Sequence, residues 1–217
     1  MAYGFEVTNG DDQIVINDTQ ALYVKKSTGT LSNSGTTNMG YYKFYSSGNA
    51  SLGSSSEDII LWTCPVGKFI SFNLGGTDTN VGEMCSDSSS ISYVRYTPRT
   101  SVSNPTGFGV AVYNESGQCT WDSDSIVTPI SNGGRLESSS MTSKTWNSGT
   151  YTGSNAVALS GGNLIADFDQ GYWTVAAKRL TSTTWRFENE KVYDLTGTGI
   201  SGGTTFESDL SFMLGSN

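Results

Sequence analysis

The sequence predicts an all-β protein made of antiparallel β-sandwich units, two in number, with long Ser/Gly-rich loops. Apolar and polar residues alternate along many short segments, a period typical of half-buried strands. Turn-forming dipeptides separate these segments, and 26 glycines among 217 residues supply positions for tight turns. Only 15% of the residues are charged while 12% are aromatic, so the composition favours an ordered core over disorder.

The predicted strands and turns follow one another along the whole chain. Because Gly161-Gly162 divides the one weakly helical stretch, residues 155–170, little or no helix is expected. The alternating segments are Phe5/Val7, Ile14/Ile16, Leu22/Val24, Phe69–Leu74, Val110/Val112 and Trp173/Val175. The turn dipeptides are Asn9-Gly10, Gly75-Gly76, Ser116-Gly117, Asn132-Gly133 and Gly161-Gly162. Exposed loops are predicted at four segments of low complexity, which are Thr28–Thr37, Ser46–Ser56, Asp87–Ser90 and Ser138–Ser143.

A repeated motif links the two halves of the chain. Tyr3–Gln13 aligns without a gap with Phe108–Gln118, and each copy predicts a hairpin whose turn begins at an asparagine. The repeat predicts an N-terminal β unit over 1–104 and a C-terminal β unit over 105–217. Two hairpins in opposed sheets of one sandwich would give the same pattern, as would two hairpins that are alike by chance. The matching pairs are Tyr3/Phe108, Gly4/Gly109, Val7/Val112, Asn9/Asn114 and Gln13/Gln118.

The residue types that are scarce or missing exclude several classes of function. Histidine is absent, which excludes His-based triads, imidazole acid–base catalysis and most common zinc sites. The formal net charge of -8 argues against a nucleic-acid partner, since phosphate binding needs clustered Lys and Arg. No export signal is recognised in Met1–Val7 and no apolar run could cross a bilayer, so we expect synthesis in the cytoplasm without membrane insertion.

The three cysteines have no spacing typical of metal ligands. Cys64, Cys85 and Cys119 are predicted to be free buried thiols, and a Cys64–Cys85 disulfide is the alternative.

Few patterns in the sequence could carry catalysis. Gly199–Gly203 spells G-x-S-x-G, but it lacks a following helix and a histidine base, so it predicts a turn. Asp167 and Asp169 would share one side of a strand, where they could form an acid–base pair. They could also bind Ca²⁺, as could Asp122 and Asp124. We expect solvated carboxylates instead, and the prediction is a non-enzymatic chain with no catalytic residue, no cofactor and no metal.

Aromatic residues in polar surroundings are the candidates for surface contact. Trp146 lies in a polar segment and is the best candidate for an exposed ring, and Tyr41 and Tyr42 belong to an aromatic cluster. Aromatic faces of this kind can stack on sugar rings. Three other tryptophans lie in apolar strands and are predicted to be core residues, namely Trp62, Trp121 and Trp173.

The hairpin motif resembles a known family. Phe108–Gln118, which ends near Asp122-Ser123, resembles a recurring motif in small all-β virion structural proteins of tailed bacteriophages, and Met1–Val7 resembles the start of such proteins. The resemblance implies a structural role on the tail side of the particle, with no catalytic residues. The first copy departs from the motif, because Gly10-Asp11-Asp12 stands where the second has Glu115-Ser116-Gly117.

These observations together predict a tail-associated virion protein that acts in a fibre, a tip or a baseplate attachment. Its expected partners are other virion proteins, further copies of itself, with a trimer favoured, and a glycan of the host surface. A capsid decoration protein is one alternative. A carbohydrate-binding or carbohydrate-active protein, acting through Trp146 or through Asp167 and Asp169, is the other. Copy number, receptor, and head or tail placement stay open at this point.

Overall fold

The computed structural model of the chain describes part of its residues. They are residues 6–8, 14–17, 21–32, 43–45, 57–72, 84–125, 130–137, 147–160, 164–167, 171–193 and 210–215.

The predicted all-β class is confirmed. In the described residues the only helical element is one 3₁₀ turn, Arg99–Ser101, and the rest is strand, turn or irregular backbone. The strands are β1 (Glu6–Thr8), β2 (Ile14–Asn17), β3 (Tyr23–Ser32), β4 (Lys43–Tyr45), β5 (Ile59–Thr63), β6 (Phe69–Phe72), β7 (Met84–Ser86), β8 (Ser90–Pro98), β9 (Ala111–Tyr113), β10 (Cys119–Asp122), β11 (Ile130–Leu136), β12 (Asn147–Thr152), β13 (Ala156–Ser160), β14 (Leu164–Asp167), β15 (Gly171–Thr181), β16 (Thr184–Tyr193) and β17 (Leu210–Gly215).

These strands form two large antiparallel sheets. Sheet I has the order β11-β17-β13-β5-β8-β3, and sheet II has the order β12-β16-β15-β6-β7-β4, with β14 paired to β15. The chain passes back and forth between the sheets. Two hairpins, β1–β2 and β9–β10, form two-stranded sheets of their own, and β2 lies beside β10.

The main core contains side chains of both sheets. Trp185 and Phe187 of sheet II lie in one buried cluster with Trp62 and Phe212 of sheet I, and the Phe187 and Phe212 ring centroids are 4.4 Å apart. Trp62 is therefore a core residue, as predicted. Trp121 is half-buried, and the side chain of Trp173 lies outside the described part of the structure.

The opposite face of sheet I is also covered. Leu61, Val94, Tyr96 and Ala158 form a second buried cluster. Successive strand residues point to opposite faces, so this cluster and the main core use alternate positions of the same strands. Burial on both faces explains the nearly continuous apolar run of β5 (IILWT).

The repeated motif in the sequence has a counterpart in the pairing of the two hairpins. Both hairpins have the same register, and each has a β-bulge at the same place in the motif. In the first, Glu6 pairs with Asn17, Val7 with Ile16, and Thr8 with Ile14. In the second, Ala111 pairs with Asp122, Val112 with Trp121, and Tyr113 with Cys119.

Sheet I extends this duplication. Strands β3, β8 and β5 pair in the same register as β11, β17 and β13, including a bulge near the start of β3 and of β11. Leu31 lies opposite Ile91 as Leu136 lies opposite Leu210. Gly29 pairs with Tyr93 in the first half as Gly134 pairs with Phe212 in the second. On the other side of the same strands, Trp62 pairs with Tyr93 as Leu159 pairs with Phe212.

In each large sheet, the strands of the first half and the strands of the second half therefore follow the same order when they are counted inward from the two ends. The halves meet where β5 pairs with β13 in sheet I and where β6 pairs with β15 in sheet II. This order matches strands before the predicted boundary at 104/105 with strands after it, and β14 is an addition to the second half. Strand pairing crosses the boundary in both sheets, so the division into two separate domains stays a prediction.

Two local predictions are wrong, and glycine explains both. Asn132-Gly133 lies inside β11 rather than in a turn, and the predicted loop Thr28–Thr37 is part of β3 up to Ser32. A Cβ on Gly134 would lie 2.9 Å from the ring of Phe212, and one on Gly29 would lie 2.7 Å from the ring of Tyr93. Glycine at these positions makes room for an aromatic ring across the strand instead of breaking the strand.

The remaining loop and cysteine predictions have mixed outcomes. Residues 87–89 connect β7 and β8 as predicted, but Ser88 is buried and Ser90 already belongs to β8. Ser46–Ser56 and Ser138–Ser143 lie outside the described residues. Cys64 and Cys119 are free and buried, as predicted, and the side chain of Cys85 is outside the described part.

Candidate functional site

The residues that the sequence singled out for surface contact, and several of those considered for catalysis, lie outside the described part of the structure. This holds for Trp146, Tyr41 and Tyr42, for Gly199–Gly203, and for the side chains of Asp167 and Asp169. The described part of the chain instead presents a different candidate, the second hairpin and the segment that leads into it.

The turn of this hairpin is built by the asparagine that begins it. Asn114 Oδ1 accepts hydrogen bonds from the backbone N–H groups of Ser116 (3.1 Å) and Gln118 (2.9 Å), and its Nδ2 donates to Gln118 Oε1 (3.1 Å). Gly117 has φ +74° and donates its N–H to the carbonyl of Asn114 (2.9 Å). An asparagine and a left-handed glycine thus close the turn, which confirms the turn predicted at Ser116-Gly117.

A buried ion pair fixes the other end of the hairpin. Arg99 Nε donates to Asp122 Oδ2, and both side chains are almost fully buried. Arg99 Nη1 also donates to the carbonyls of Val102 (3.2 Å) and Ser103 (3.1 Å). Because Arg99 follows β8 and Asp122 ends β10, this contact attaches the second hairpin to the first half of the molecule.

The carboxylate of Asp122 accepts several hydrogen bonds. Besides Arg99, it accepts bonds from the backbone N–H of Asp124 (2.9 Å) and from Ser125 Oγ (2.7 Å). Burial alone would raise the pKa of Asp122, but the bonds from Arg99, Ser125 and Asp124 outweigh it, and the pKa lies below its usual value. A carboxylate held in this way is a structural anchor and is poorly placed to bind calcium.

The segment before β9 folds over the end of β10. The N–H of Ser123 donates to the carbonyl of Val110 (2.9 Å), and Ser123 Oγ accepts from the N–H of Val110 (3.2 Å). A Cβ on Gly109 would lie 2.5 Å from Ser123 Oγ, so a larger residue would displace the hydroxyl that accepts from Val110. A cavity of about 230 Å³ lies beside this segment, and its lining includes Pro105, Gly107, Val110 and Asp124.

Large apolar side chains next to this cavity face the solvent. The relative exposure is 105% for Phe108, 62% for Val110 and 43% for Tyr113, whereas Val112 is buried. Phe108 and Val110 lie in the irregular segment before β9, whereas Val112 and Tyr113 are neighbours in β9 and point to opposite faces, so Val112 is covered and Tyr113 is bare. The sequence indicated an alternation at Val110 and Val112, but only the fold reveals that Val112 is buried and Val110 is exposed.

The cavity also has an acidic wall. Asp124 is exposed, lies next to Gly107 and Gly109, and makes no side-chain hydrogen bond or ion pair within the part of the chain that the structure describes. Within that same part, no three His, Cys, Asp or Glu side chains are grouped so that they could hold a metal ion. The surface therefore combines bare apolar side chains with one solvated carboxylate that has no ionic partner among the described residues.

A network of charged side chains on sheet II was not anticipated from the sequence. Lys178 Nζ lies 2.5 Å from Glu188 Oε1 and 3.0 Å from Glu190 Oε1, and Arg186 Nε donates to Glu188 Oε2 (2.6 Å). Burial raises the pKa of Glu190, and the nearby Glu188 raises it further despite Lys178. The pKa of Glu188 is lowered, because bonds from Lys178 and Arg186 outweigh its burial. The alternation of Arg186, Glu188 and Glu190 was the available sequence signal.

One thiol is kept unreactive by its surroundings. Burial raises the pKa of Cys64 to about 12, and its Sγ donates to the carbonyl of Lys68 (3.3 Å). Thiols in such surroundings stay protonated and are poor nucleophiles.

Comparison of the chain with protein-family models, with curated proteins and with solved structures finds no match. Among the described residues, no helix is long and apolar enough to cross a membrane.

Proposed function

We propose that this chain is a non-enzymatic structural protein of a bacteriophage virion, located on the tail side as part of a fibre, a tip or a baseplate attachment. The motif Phe108–Gln118 supports the virion assignment through its resemblance to proteins of that class. The surface of the second hairpin supports a role in protein–protein assembly.

The main support is the bare apolar face of the second hairpin. Single exposed hydrophobic residues are common on protein surfaces and need no explanation. Here Phe108, Val110 and Tyr113 are exposed together, next to a cavity, on a hairpin fixed by the Arg99–Asp122 pair. Bare apolar side chains beside a cavity on a fixed backbone favour contact with another protein, since contact removes their surface from water without a large loss of backbone freedom.

The proposal includes assembly with further copies of the chain, with a trimer favoured. Within the described residues, β3 and β11 are the end strands of sheet I, and β4 and β12 are those of sheet II. End strands offer backbone groups to which another chain can add a strand. Contact with a host-surface glycan, for which Trp146, Tyr41 and Tyr42 are the candidates, is a further part of the proposal.

The test is to find the chain in purified particles. Tails and heads are separated on a density gradient, and the protein is detected by mass spectrometry and by electron microscopy of labelled particles. We expect it to co-purify with tails. Recovery with heads alone would contradict the tail placement and favour a decoration protein, and absence from both fractions would contradict the virion assignment.

A pair of variants tests the surface within the same experiment. Phe108→Ser removes an exposed ring, and Val66→Ser removes an apolar side chain of 54% exposure in the turn between β5 and β6. We expect the first to reduce incorporation into particles by roughly tenfold and the second to leave it unchanged. Equal incorporation of the two variants would contradict a docking role for the second hairpin.

A further inference from the structure

The cavity beside β9 has features that specify the chemistry of its partner, an inference that rests on the proposed assembly function. We propose that it binds an extended segment of another protein in which apolar side chains are flanked by a Lys or Arg. The docking surface consists of Phe108, Val110 and Tyr113, the free side of β9, and Asp124.

The apolar part of this surface fits an extended segment better than a helix. The cavity lining includes Val110, Ala111 and Tyr113, so the cavity follows β9 and the residue before it. β9 pairs with β10 alone among the described strands. Because backbone groups alternate sides along a strand, part of those in β9 face away from β10 and can pair with an added strand.

The charge of the surface selects a cationic partner. Asp124 lies on the cavity wall with no partner among the described residues. Arg99, the cation that contacts the hairpin, is already bonded to Asp122 and to the carbonyls of Val102 and Ser103. Covering Asp124 with an apolar surface would leave an unpaired carboxylate out of water, which is costly. A Lys or Arg of the partner removes that cost.

The same argument disfavours a second copy of this chain as the occupant. The chain has a formal net charge of -8, with 20 acidic and 12 basic residues. Two copies meeting at this surface would bring Asp124 toward a surface of the same sign, whereas a basic partner gains from the attraction.

The experiment uses the full ¹⁵N-labelled chain and short synthetic peptides. One peptide alternates valine and lysine around a central phenylalanine, and the matched peptide has glutamate in place of every lysine. Amide spectra are recorded during titration at low and moderate salt. We expect the lysine peptide to shift amides of 107–113 and 122–124 in a saturable manner, and the glutamate peptide to leave them unchanged.

Four variants assign the effect to the proposed surface. Phe108→Ser and Asp124→Asn should each weaken peptide binding by roughly tenfold. Val66→Ser and Glu115→Gln remove an exposed apolar and an exposed acidic residue outside the cavity lining, and binding should not change. All four positions are exposed, so the melting temperatures should stay within a few degrees of the parent protein. A melting temperature that falls with Phe108→Ser would show that the ring packs within the chain, and would overturn the proposal.

The outcomes separate this inference from the proposed function. No saturable shift, or a shift that is equal in all four variants, would overturn the cationic-segment proposal. A concentration-dependent dimer through the same amides would overturn it in favour of a second copy. In both cases loss of particle incorporation by Phe108→Ser would still support the assembly function. Recovery in neither heads nor tails would contradict that function instead.

Discussion

The two halves of this molecule have the same strand pairing but different side chains. Leu31 pairs with Ile91 and Leu136 with Leu210 at equivalent positions, and the bulges recur in each half. The equivalent residues of the central strands differ in size, however: Ile59, Leu61 and Trp62 in the first half correspond to Ala156, Ala158 and Leu159 in the second. The strand register is therefore the same in the two halves even where the equivalent side chains differ in volume.

The difference shows which features define the duplicated fold. A one-residue slip would turn every side chain of a strand to the other face, so register is strongly specified wherever a strand packs one face on a core. Volume can be exchanged between neighbours as long as the interior is filled. The pairing of a glycine with an aromatic ring, Gly29 with Tyr93 and Gly134 with Phe212, is common to both halves because each glycine makes room for its ring.

The largest expected effect concerns the two equivalent aromatic residues. Phe212→Ala should lower the free energy of unfolding by about 4 kcal/mol, because the ring is buried and contacts Phe187 and Tyr151. Tyr93→Ala should cost about half as much, since Tyr93 is only partly buried. Urea unfolding of both variants measures the difference. Equal losses would mean that the halves share their packing as well as their register.

The second prediction concerns one position at which the hairpins differ in charge. Asp122 stands where the first hairpin has Asn17. Asp122→Asn should cost about 3 kcal/mol, because it leaves the buried guanidinium of Arg99 without its counter-charge.

The pH dependence of this contribution has a definite sign. The folded pKa of Asp122 lies below the unfolded value of 3.8, so its contribution is present above pH 3.8 and is lost as the pH falls through the folded pKa. The variant should lack this part of the acid dependence. Unfolding measured by circular dichroism between pH 2 and 7 tests it, and an unchanged acid profile would contradict the anchor role.

A smaller effect is expected at the two strand glycines. Gly134→Ala should destabilise by about 2 kcal/mol, because its Cβ would meet the buried ring of Phe212. Gly29→Ala should cost less, since the outer end of Tyr93 can move. Gly149→Ala in β12 is the matched control, as nothing lies within 4 Å of its Cβ position. If the control were as damaging as Gly134→Ala, backbone effects rather than the aromatic ring would be responsible.

The smallest effect concerns the charged network of Lys178, Glu188 and Glu190, which lies on β15 and β16 of the second half. The equivalent strands of the first half, β6 and β7, have no charged residue. The pKa of Glu190 is raised above 4.5, so its ionisation disfavours the folded state as the pH rises from 4.5 through the folded pKa. Glu190→Gln should therefore gain stability relative to the parent protein across that range, by less than about 1 kcal/mol. Thermal unfolding at pH 4 and pH 7 tests this, and a relative loss at pH 7 would contradict it.

The hairpins were the part of the fold most accessible from the sequence. The turn at Asn114 depends on neighbouring residues alone, since the asparagine side chain and Gly117 close it locally. The turn predicted at Asn132-Gly133 was wrong because a distant residue, Phe212, determines what the adjacent glycine does. The candidate site was missed for a similar reason: Val110 and Val112 have the same side chain and period, but only packing buries one and exposes the other.

The sequence by itself determined the all-β class, the repeated hairpin and the chemistry of its turn, because period, glycine and asparagine act over a few residues. The tertiary structure decided that strands of both halves continue into common sheets, that Arg99 meets Asp122, and that Phe108 is left bare. Those outcomes depend on contacts between residues far apart in the chain, and their energies are set by which surfaces are buried together.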